Sequence, residues 1–530
     1  MTDSRRGAAT GRFAFLVAAG ILLSRLFGLV RVRVFSHYLG QVSDAADAFN
    51  AAFRIPNILQ NLFGEGALSA SFIPVYSRLT SEGDEREAGR VAGAVFGVLA
   101  LAMALLTAFG IALTPLLIDV ITPGFEGAKR ELAIRLVRVL FPGAALFVMS
   151  AWCLGILNSH GRFFVSYAAP VFWNLAMIAT LAGFGGHLNP ESLVVALAWG
   201  SVAGALLMVV VQMPNVLRLA ESMRFSLDTR SAHVRSVVRN FVPVLFSRGV
   251  VQVSSYVDAM VASLLPTGAV TGVTNAQLLY VLPVSLFGMS VSAAELPAMS
   301  TLSGEYRKEE LALRINEGLR RIAFFVVPSA VAFMVLGDVV AGLVLQTGRF
   351  TRADSVYVWG ILAGASIGLL ATTMARLYSS AYYSVGDTQT PFRYALLRVS
   401  LAGVGGYLAA VHLPSLAGVD ARWGAAGLTT ASGLAGWVEF ALLRGTLNRR
   451  VGGRTGLALG PAARLWFAAF AAAGVALIVK LATGVGQPLL AGPLVLGAYG
   501  LTYFAAALAL GVMPDAVLRT LQRGRTNRGG

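Results

Sequence analysis

The sequence predicts an all-α polytopic membrane protein: fourteen transmembrane helices, forming two parallel-repeat six-helix bundles followed by two C-terminal helices. Three observations predict it. Of 530 residues, 56% are hydrophobic and only 13% charged, about half the charged share of a soluble domain. Apolar stretches long enough to cross about 30 Å of hydrocarbon recur along nearly the whole chain. Short motifs of the first half return in the second at almost constant spacing. This composition excludes a secreted disulfide scaffold, a disordered chain and an ordinary cytosolic enzyme. The lone cysteine, Cys153, excludes disulfides within the chain and cysteine-based metal centres.

The fourteen apolar stretches lie near 13–38, 46–76, 91–121, 132–157, 163–185, 192–217, 238–265, 272–302, 318–346, 354–384, 391–412, 422–446, 462–483 and 488–513. The first follows Arg5, Arg6 and Arg12 but lacks a small-residue cleavage site, and Arg25 and Arg31 interrupt it. It reads as a retained helix rather than a signal peptide. Alternate connections carry the basic residues: Arg78, Arg86 and Arg90; Arg162; Arg218 to Arg235; Arg307, Lys308 and Arg314; Arg393; Arg449 to Arg454; and Arg519 to Arg528. The opposite connections hold little beyond Lys129, Arg130, Arg349, Arg352 and His412. Basic loops stay in the cytoplasm, so both termini are expected there. The same bias accounts for most of the formal charge of +16, and no nucleic-acid partner is needed to explain it.

Ser24-Arg25 returns as Ser247-Arg248, and Leu62-Phe63-Gly64 as Leu286-Phe287-Gly288. Pro74-x-x-Ser77-x-Leu79 with Glu82 returns as Pro297-x-x-Ser300-x-Leu302 with Glu305, and Ser159-x-Gly161 as Ser384-x-Gly386. The offsets are 223, 224, 223 and 225 residues. Six helices separate the copies, an even number, so both copies share one orientation. The expected organisation is a six-helix lobe over 1–222, its repeat over 223–450, and two further helices with a basic cytoplasmic tail over 451–530. Such an architecture belongs to transporters that rock two halves about a central site.

Charges inside the spans are the informative residues, because each costs a few kcal/mol at the bilayer centre. Arg25 lies about 20 Å along the first helix from Arg12, too deep to reach either surface easily. It is either a structural ion pair or a cavity cation. Arg31 and Arg33 lie farther along, with Arg33 suited to an interfacial anchor. In the second span Asp47, Asn50, Arg54, Asn57, Asn61 and Glu65 recur at spacings of 3, 4, 3, 4 and 4, one helical face through five turns. Such a stripe either hydrogen-bonds to neighbouring helices or lines a water-filled cavity. Pro56 implies a kink or a freed carbonyl in that helix. In the second half, Arg248 is the repeat mate of Arg25, and the two would clamp an anion between the halves. Asp258 and Glu295 either pair with arginines or bind a coupling ion; Arg376 lies mid-span. The five histidines show no ligand spacing. Phosphate-binding loops and hydrolase elbows are missing, and the longest polar connection, about 218–237, is too short for a nucleotide site. Energy coupling is therefore expected to use membrane potential or an ion gradient, with no bound cofactor.

Ser24-Arg25-Leu26-Phe27-Gly28-Leu29-Val30-Arg31, Asp47-Ala48-Phe49, Phe53-Arg54-Ile55-Pro56-Asn57 and Gly64-Glu65-Gly66-Ala67-Leu68-Ser69 resemble the MviN/MurJ family of lipid II flippases. Leu157-Asn158-Ser159, Arg162-Phe163, Ala169-Pro170 and Tyr383 with Gly386-Asp387-Thr388-Gln389-Thr390-Pro391 extend the resemblance from about residue 14 to 395. The resemblance implies an inner-membrane exporter of the multidrug/oligosaccharidyl-lipid/polysaccharide superfamily. Its substrate would be an undecaprenyl-diphosphate-linked peptidoglycan precursor, moved from the cytoplasmic to the outer leaflet by alternating access through a cationic cavity. It also implies a hydrophobic groove on the last two helices for the lipid tail, membrane lipid around it, and cell-wall synthesis proteins as partners. By motif position Arg25, Arg31, Asp47 and Glu65 match polar cavity residues of the family.

The chain departs from the family pattern at Val32, at Gln60 and Asn61 where many members carry an arginine pair, and at Gln277 and Leu278. Two customary cavity cations are thus missing, and Arg54, Arg248 or Arg376 are the candidates to replace them. On this reading Arg25, Arg31, Arg54 and Arg248 bind the diphosphate. Asn57, Gln60 and Asn61 bind sugar or peptide groups, and Asp47, Glu65, Asp258 and Glu295 serve gating or ion coupling. The rival reading is an exporter of another polyprenyl-linked oligosaccharide or amphipathic substrate with the same fold. A drug-cation antiporter would instead present acids, and a polyprenyl-dependent glycosyltransferase would need an acid pair in a large outer loop.

Overall fold

The computed structural model describes residues 2–302, 308–483 and 487–514, with the side chains of 1–18, 65, 244 and 246–255 left aside. Glu305, Arg307 and the tail arginines from Arg519 onward, together with the side chains of Glu65 and Arg248, therefore lie outside the described residues. Among the described residues the chain is helical, and the one extended feature is an isolated bridge between Thr347 and Phe350. Contacts divide it into two compact units: Met1–Ser263 with Thr347–Phe350, and Leu264–Gln346 with Thr351–Gly530.

The first unit contains α1 (Thr2–Leu39), α2 (Asp44–Phe63), α3 (Glu65–Ser71), α4 (Ile73–Ser81) and α5 (Glu85–Ala112). It continues with α6 (Thr114–Ile121), α7 (Gly127–Ser159), α8 (Phe163–Phe184), α9 (Pro190–Leu219) and α10 (Ala232–Ser263). Short polar residues start several of these helices by taking up orphan N–H groups. Ser43 caps α2, Asp84 caps α5, accepting from the Glu87 N–H at 3.1 Å, and Asn189 caps α9, accepting from that of Ser192 at 2.8 Å. The core joins Leu68, Phe72 and Tyr76 to Val91 and Val95 of α5 and to Trp152, Cys153 and Ile156 of α7. Polar pairs fix its inner edge: Ser77 Oγ donates to Ser159 Oγ at 2.9 Å, and Gln212 Nε2 donates to Ser150 Oγ at 2.6 Å. The polar connection after α9 lies along α5 on a row of glycines. A Cβ at Gly93 would stand 2.0 Å from the Arg224 carbonyl oxygen, and one at Gly97 2.1 Å from that of Ser226.

α1 and α8 lie side by side and run in the same direction. Gly20 faces Tyr167, Gly28 faces Asn174, Arg31 reaches Met177, and Gly185 packs on Tyr38. Neighbouring spans that run parallel are separated by an odd number of crossings. α5 and α7 supply two, so the broken run α2–α4 is the third.

The second unit opens with α11 (Ala269–Pro283), a π-helical turn over Val284–Met289, α12 (Ser290–Ser300) and α13 (Lys308–Leu345). There follow α14 (Arg352–Ser366), α15 (Leu369–Ser384), α16 (Gln389–Tyr407), α17 (Leu413–Ala417), α18 (Gly424–Val451), α19 (Leu459–Thr483) and α20 (Pro488–Ala509). α14 and α15 form one apolar span bent by 43°. The bend lies where Gly368 packs backbone to backbone against Gly433 of α18, and Trp437 Nε1 donates to the Ile367 carbonyl at 2.8 Å. In α13, Pro328 has no N–H for the carbonyl of Phe324. Tyr503 of α20 donates its hydroxyl to that carbonyl at 2.6 Å, and Tyr499 donates to the carbonyl of Pro328 at 2.7 Å. Lys480 of α19 pairs with Asp338 of α13 at 2.7 Å. The last two helices are thus tied to α13 at several depths.

Ten helices among the described residues are long and apolar enough to cross a membrane, or eleven with the bent α14–α15 pair. By this measure the count stops short of fourteen. The three expected spans that fall below it are α1, the run α2–α4 and α10, the helices that carry Arg25, Arg31, Asp47, Arg54 and Asp258. The run α2–α4 falls short because it is polar and broken at Gly64, whereas α1, apolar over 13–30 apart from Arg25, and α10 include side chains outside the described residues; all three belong to the first unit.

The repeated motifs fall on repeated local geometry. α7 and α15 end at the two matched serines, Ser159 and Ser384, and the glycines two residues on have φ of 71° and 77°. In both turns the next N–H reaches back five residues, Arg162 to Leu157 at 2.8 Å and Asp387 to Tyr382 at 3.0 Å. That is the Schellman closure, which favours glycine in the left-handed region. The matched Leu-Phe-Gly triplets also share irregularity: α2 breaks at Gly64, and Leu286-Phe287-Gly288 forms part of the π-helical turn.

Candidate functional site

The first unit gathers the candidate residues on α1, α2, α3 and α10, with Glu295 alone on the second. α2 runs unbroken through Pro56 and stops at Gly64, whose φ of −80° and ψ of −148° leave the helix. This corrects the five-turn stripe. It extends from Asp47 to Asn61, while Glu65 starts a separate helix, α3. Glycine rather than proline ends the run, because Pro56 removes one donor whereas Gly64 turns the backbone.

The upper end of the stripe is an ion cluster. Asp47 is 1% exposed, and Lys129 at the start of α7 places Nζ 2.9 Å from Asp47 and 2.9 Å from Asp44. The same ammonium lies 4.5 Å from the centre of the Phe125 ring. Asp47 is therefore engaged. Arg54 stands in the field of Asp258 and Tyr256 of α10, and the Tyr256 hydroxyl donates to the Arg54 carbonyl at 2.8 Å. Asp258 and Arg54 thus offset each other. In the second unit Glu295, 3% exposed, accepts from Arg314 Nε at 2.7 Å and from Arg321 Nη1 at 3.0 Å, both on α13. Both acids face arginines.

Arg31 is held differently. Its guanidinium carbon lies 4.5 Å from the centre of the Trp173 ring, and Nη1 donates to Met177 Sδ at 3.5 Å. Trp173 is fixed from three sides. It stacks on Phe53 at 5.8 Å and 18°, meets Phe147 edge-on at 5.5 Å, and donates Nε1 to Ser201 Oγ at 3.0 Å. Cation–π contact tolerates a guanidinium without neutralising it. Among the described residues Arg31 has no carboxylate partner, and its buried Nε has no acceptor. One helix away, buried Asn174 donates to the Pro170 carbonyl at 3.0 Å but leaves Oδ1 unpartnered. Buried polar atoms are nearly always paired, so an orphaned donor and acceptor in one neighbourhood mark a place shaped for something else.

Arg25, Asn57 and Asn61 are exposed and Gln60 half-buried, and none makes a side-chain hydrogen bond among the described residues. The stripe's lower half is therefore open rather than locked. Trp173, Met177 and Asn174 were missed by the sequence reading. Nothing in their spacing marks them, since they matter only through the pairing of α1 with α8. Among the described residues no group of three or more His, Cys, Asp or Glu side chains could hold a metal.

The architecture is that of the multidrug and lipid exporters. A solved structure described as "Lipid II flippase MurJ, inward closed conformation" matches with a TM-score of 0.73 over 93% of this chain and 98% of its own, at 20% identity. An inward-facing multidrug resistance MATE family transporter of the MOP superfamily matches with a TM-score of 0.63 over 82% and 98%, at 19% identity. At such identities the likeness is one of fold. The sequence carries the finer assignment. The family profile described as "Lipid II flippase MurJ" matches residues 35–504. A probable lipid II flippase MurJ of Bdellovibrio bacteriovorus is 32% identical over 518 residues, 94% of each chain. That of Vibrio cholerae is 31% identical over 406 residues, 75% of this chain and 76% of its own. The chain belongs to the lipid II flippase MurJ family, and is a multi-pass membrane transporter rather than an enzyme.

Proposed function

We propose that this chain moves lipid II from the cytoplasmic to the outer leaflet of the bacterial inner membrane, with both termini in the cytoplasm. The observation that carries the reading is Arg31, a guanidinium within a span, held by an aromatic platform and left without a carboxylate. A cation so placed keeps its charge for an anionic ligand, and a diphosphate is the anion that a guanidinium fork fits best. Arg25 is the second diphosphate contact, with Arg248 a further candidate. Arg54 has a smaller part, since Asp258 offsets it. The open amides of Asn57, Gln60 and Asn61 suit sugar hydroxyls and peptide carbonyls.

The lipid tail stays in an apolar environment. An open groove of about 340 Å³ in the second unit supports this, lined by Leu286, Phe287, Phe325, Phe333, Tyr503 and Phe504. Loading on the cytoplasmic side, alternating access and release outside complete the cycle, which membrane potential or an ion gradient resets. The undecaprenyl-diphosphate carrier and a functional link to cell-wall synthesis proteins follow from the same reading.

The test is lipid II exposure on the outer leaflet of cells depleted of their own flippase and expressing this chain. Wild type should restore exposure. Arg31→Ala and Arg25→Ala should lower it about tenfold or more, the worth of one lost charge-assisted contact, at matched membrane levels. Full activity in both variants would overturn the cationic site. No restoration by a well-inserted wild type would overturn the substrate and favour another polyprenyl-linked glycan.

A further inference from the structure

On the first unit, α7 and α9 leave an open groove of about 410 Å³ lined by Glu131, Arg135, Arg138, Val139, Pro142 and Trp199. The four α7 positions 131, 135, 138 and 142 fall within about 60° of one another on a helix, so they form one stripe. Arg135 and Arg138 are exposed and make no hydrogen bond or ion pair among the described residues. Arg130 is not available to the groove, because Asp119 engages it through two oxygens at 2.6 and 2.9 Å. Trp199, a large aromatic, is 58% exposed beside them.

The depth of the groove identifies what surrounds it. α7 has 33 residues, about 50 Å of helix, some 20 Å more than the hydrocarbon is thick. Its far end is the Ser159–Arg162 turn. About 20 residues back from that end the helix meets the opposite boundary of the hydrocarbon, close to Arg138. α9 runs parallel to α7, with Gly143 facing Val202 and Ser150 bonded to Gln212. The same count back from Arg218 in its last turn reaches Trp199. Both helices thus place their groove residues at the depth of lipid phosphates, where tryptophan also concentrates. Glu131 lies about 6 Å farther toward water than Arg135.

We propose that this groove is a binding site for a phospholipid with a phosphoethanolamine headgroup. Arg135 and Arg138 take the phosphate, Glu131 takes the ammonium two carbons beyond it, and Val139, Pro142 and Trp199 cover the first acyl carbons. The order of charges along the stripe, acid outermost and cations deeper, matches the order of ammonium and phosphate in a bilayer. A purely anionic headgroup would meet Glu131 as a repulsive neighbour.

Native mass spectrometry of the full-length chain in detergent, titrated with phosphatidylethanolamine, phosphatidylcholine or phosphatidylglycerol, tests the site. Wild type should bind phosphatidylethanolamine about tenfold more tightly than the other two, the worth of one charge-assisted bond. Arg135→Gln with Arg138→Gln should remove that preference along with most of the binding. Glu131→Gln should bring phosphatidylglycerol level with phosphatidylethanolamine. This single surface change leaves the helix intact, so it decides the matter even if the double variant folds poorly. Equal wild-type binding of phosphatidylcholine, tighter wild-type binding of phosphatidylglycerol, or an unchanged Glu131→Gln preference would overturn the proposal. So would a dimer mass that the arginine changes convert to monomer, which would make the groove a contact between copies of the chain.

Discussion

An ionised side chain within a span is tolerated either by an opposite charge or by a polarisable surface, and this chain uses both. Glu295 between Arg314 and Arg321, and Arg54 facing Asp258, follow the first route. Arg31 on Trp173 follows the second. The difference separates architecture from chemistry. Glu295→Gln should cost about 1–2 kcal/mol, less than a fully buried pair because both arginines are half-exposed. Thermal unfolding in detergent measures this, and transport below the transition should persist. Lost transport at unchanged stability would make Glu295 a coupling residue instead. The arginines were legible in the sequence as charges out of place, because their cost in hydrocarbon needs no partner to be recognised. Which of them were neutralised was not legible. Trp173 and Met177 are more than a hundred residues from Arg31, and only the pairing of two parallel helices brings them to it.

Helices broken inside a membrane leave carbonyls with no water to accept from, and aromatic donors on neighbouring elements repair them here. Trp437 serves the α14–α15 bend, Trp359 serves the distorted turn of α13 by donating to Met334 at 2.9 Å, and Tyr503 serves the Pro328 gap. Tyr503→Phe keeps the ring and removes the donor, so the Phe324 carbonyl is stranded. The expected loss is about 1–2 kcal/mol, read as a lowered unfolding midpoint, with Leu501→Phe on the exposed side of α20 as a neutral control. Pro56 announced a break in the sequence, yet α2 passes through it and breaks at Gly64 instead. A spacing of three and four cannot register that break, which is why Glu65 was read into the stripe. The turns after α7 and α15 were legible for the opposite reason. Each needs a glycine with positive φ two residues beyond the helix, so Ser-x-Gly is preserved in both copies.

At the scale of the molecule, direction decides a crossing that apolarity does not. The run α2–α4 is too polar and too broken to count as an apolar span, and the parallel course of α1 and α8 still requires it to cross. The orientation proposed from the basic loops makes a direct prediction. A cysteine at Gly186, in the turn between α8 and α9, should react with a membrane-impermeant maleimide in intact cells. One at Ser81, the last residue of α4, should react only after the inner membrane is opened, and the reverse pattern would invert the topology. The native background to such work is set by a feature of the first core. Cys153, the sole thiol, is fully enclosed beside Trp152 and Phe72. The wild-type chain therefore serves as its own cysteine-free template. Spectroscopic pairs can be placed by single additions, with no purge of native thiols and none of the stability loss that replacing a core residue brings.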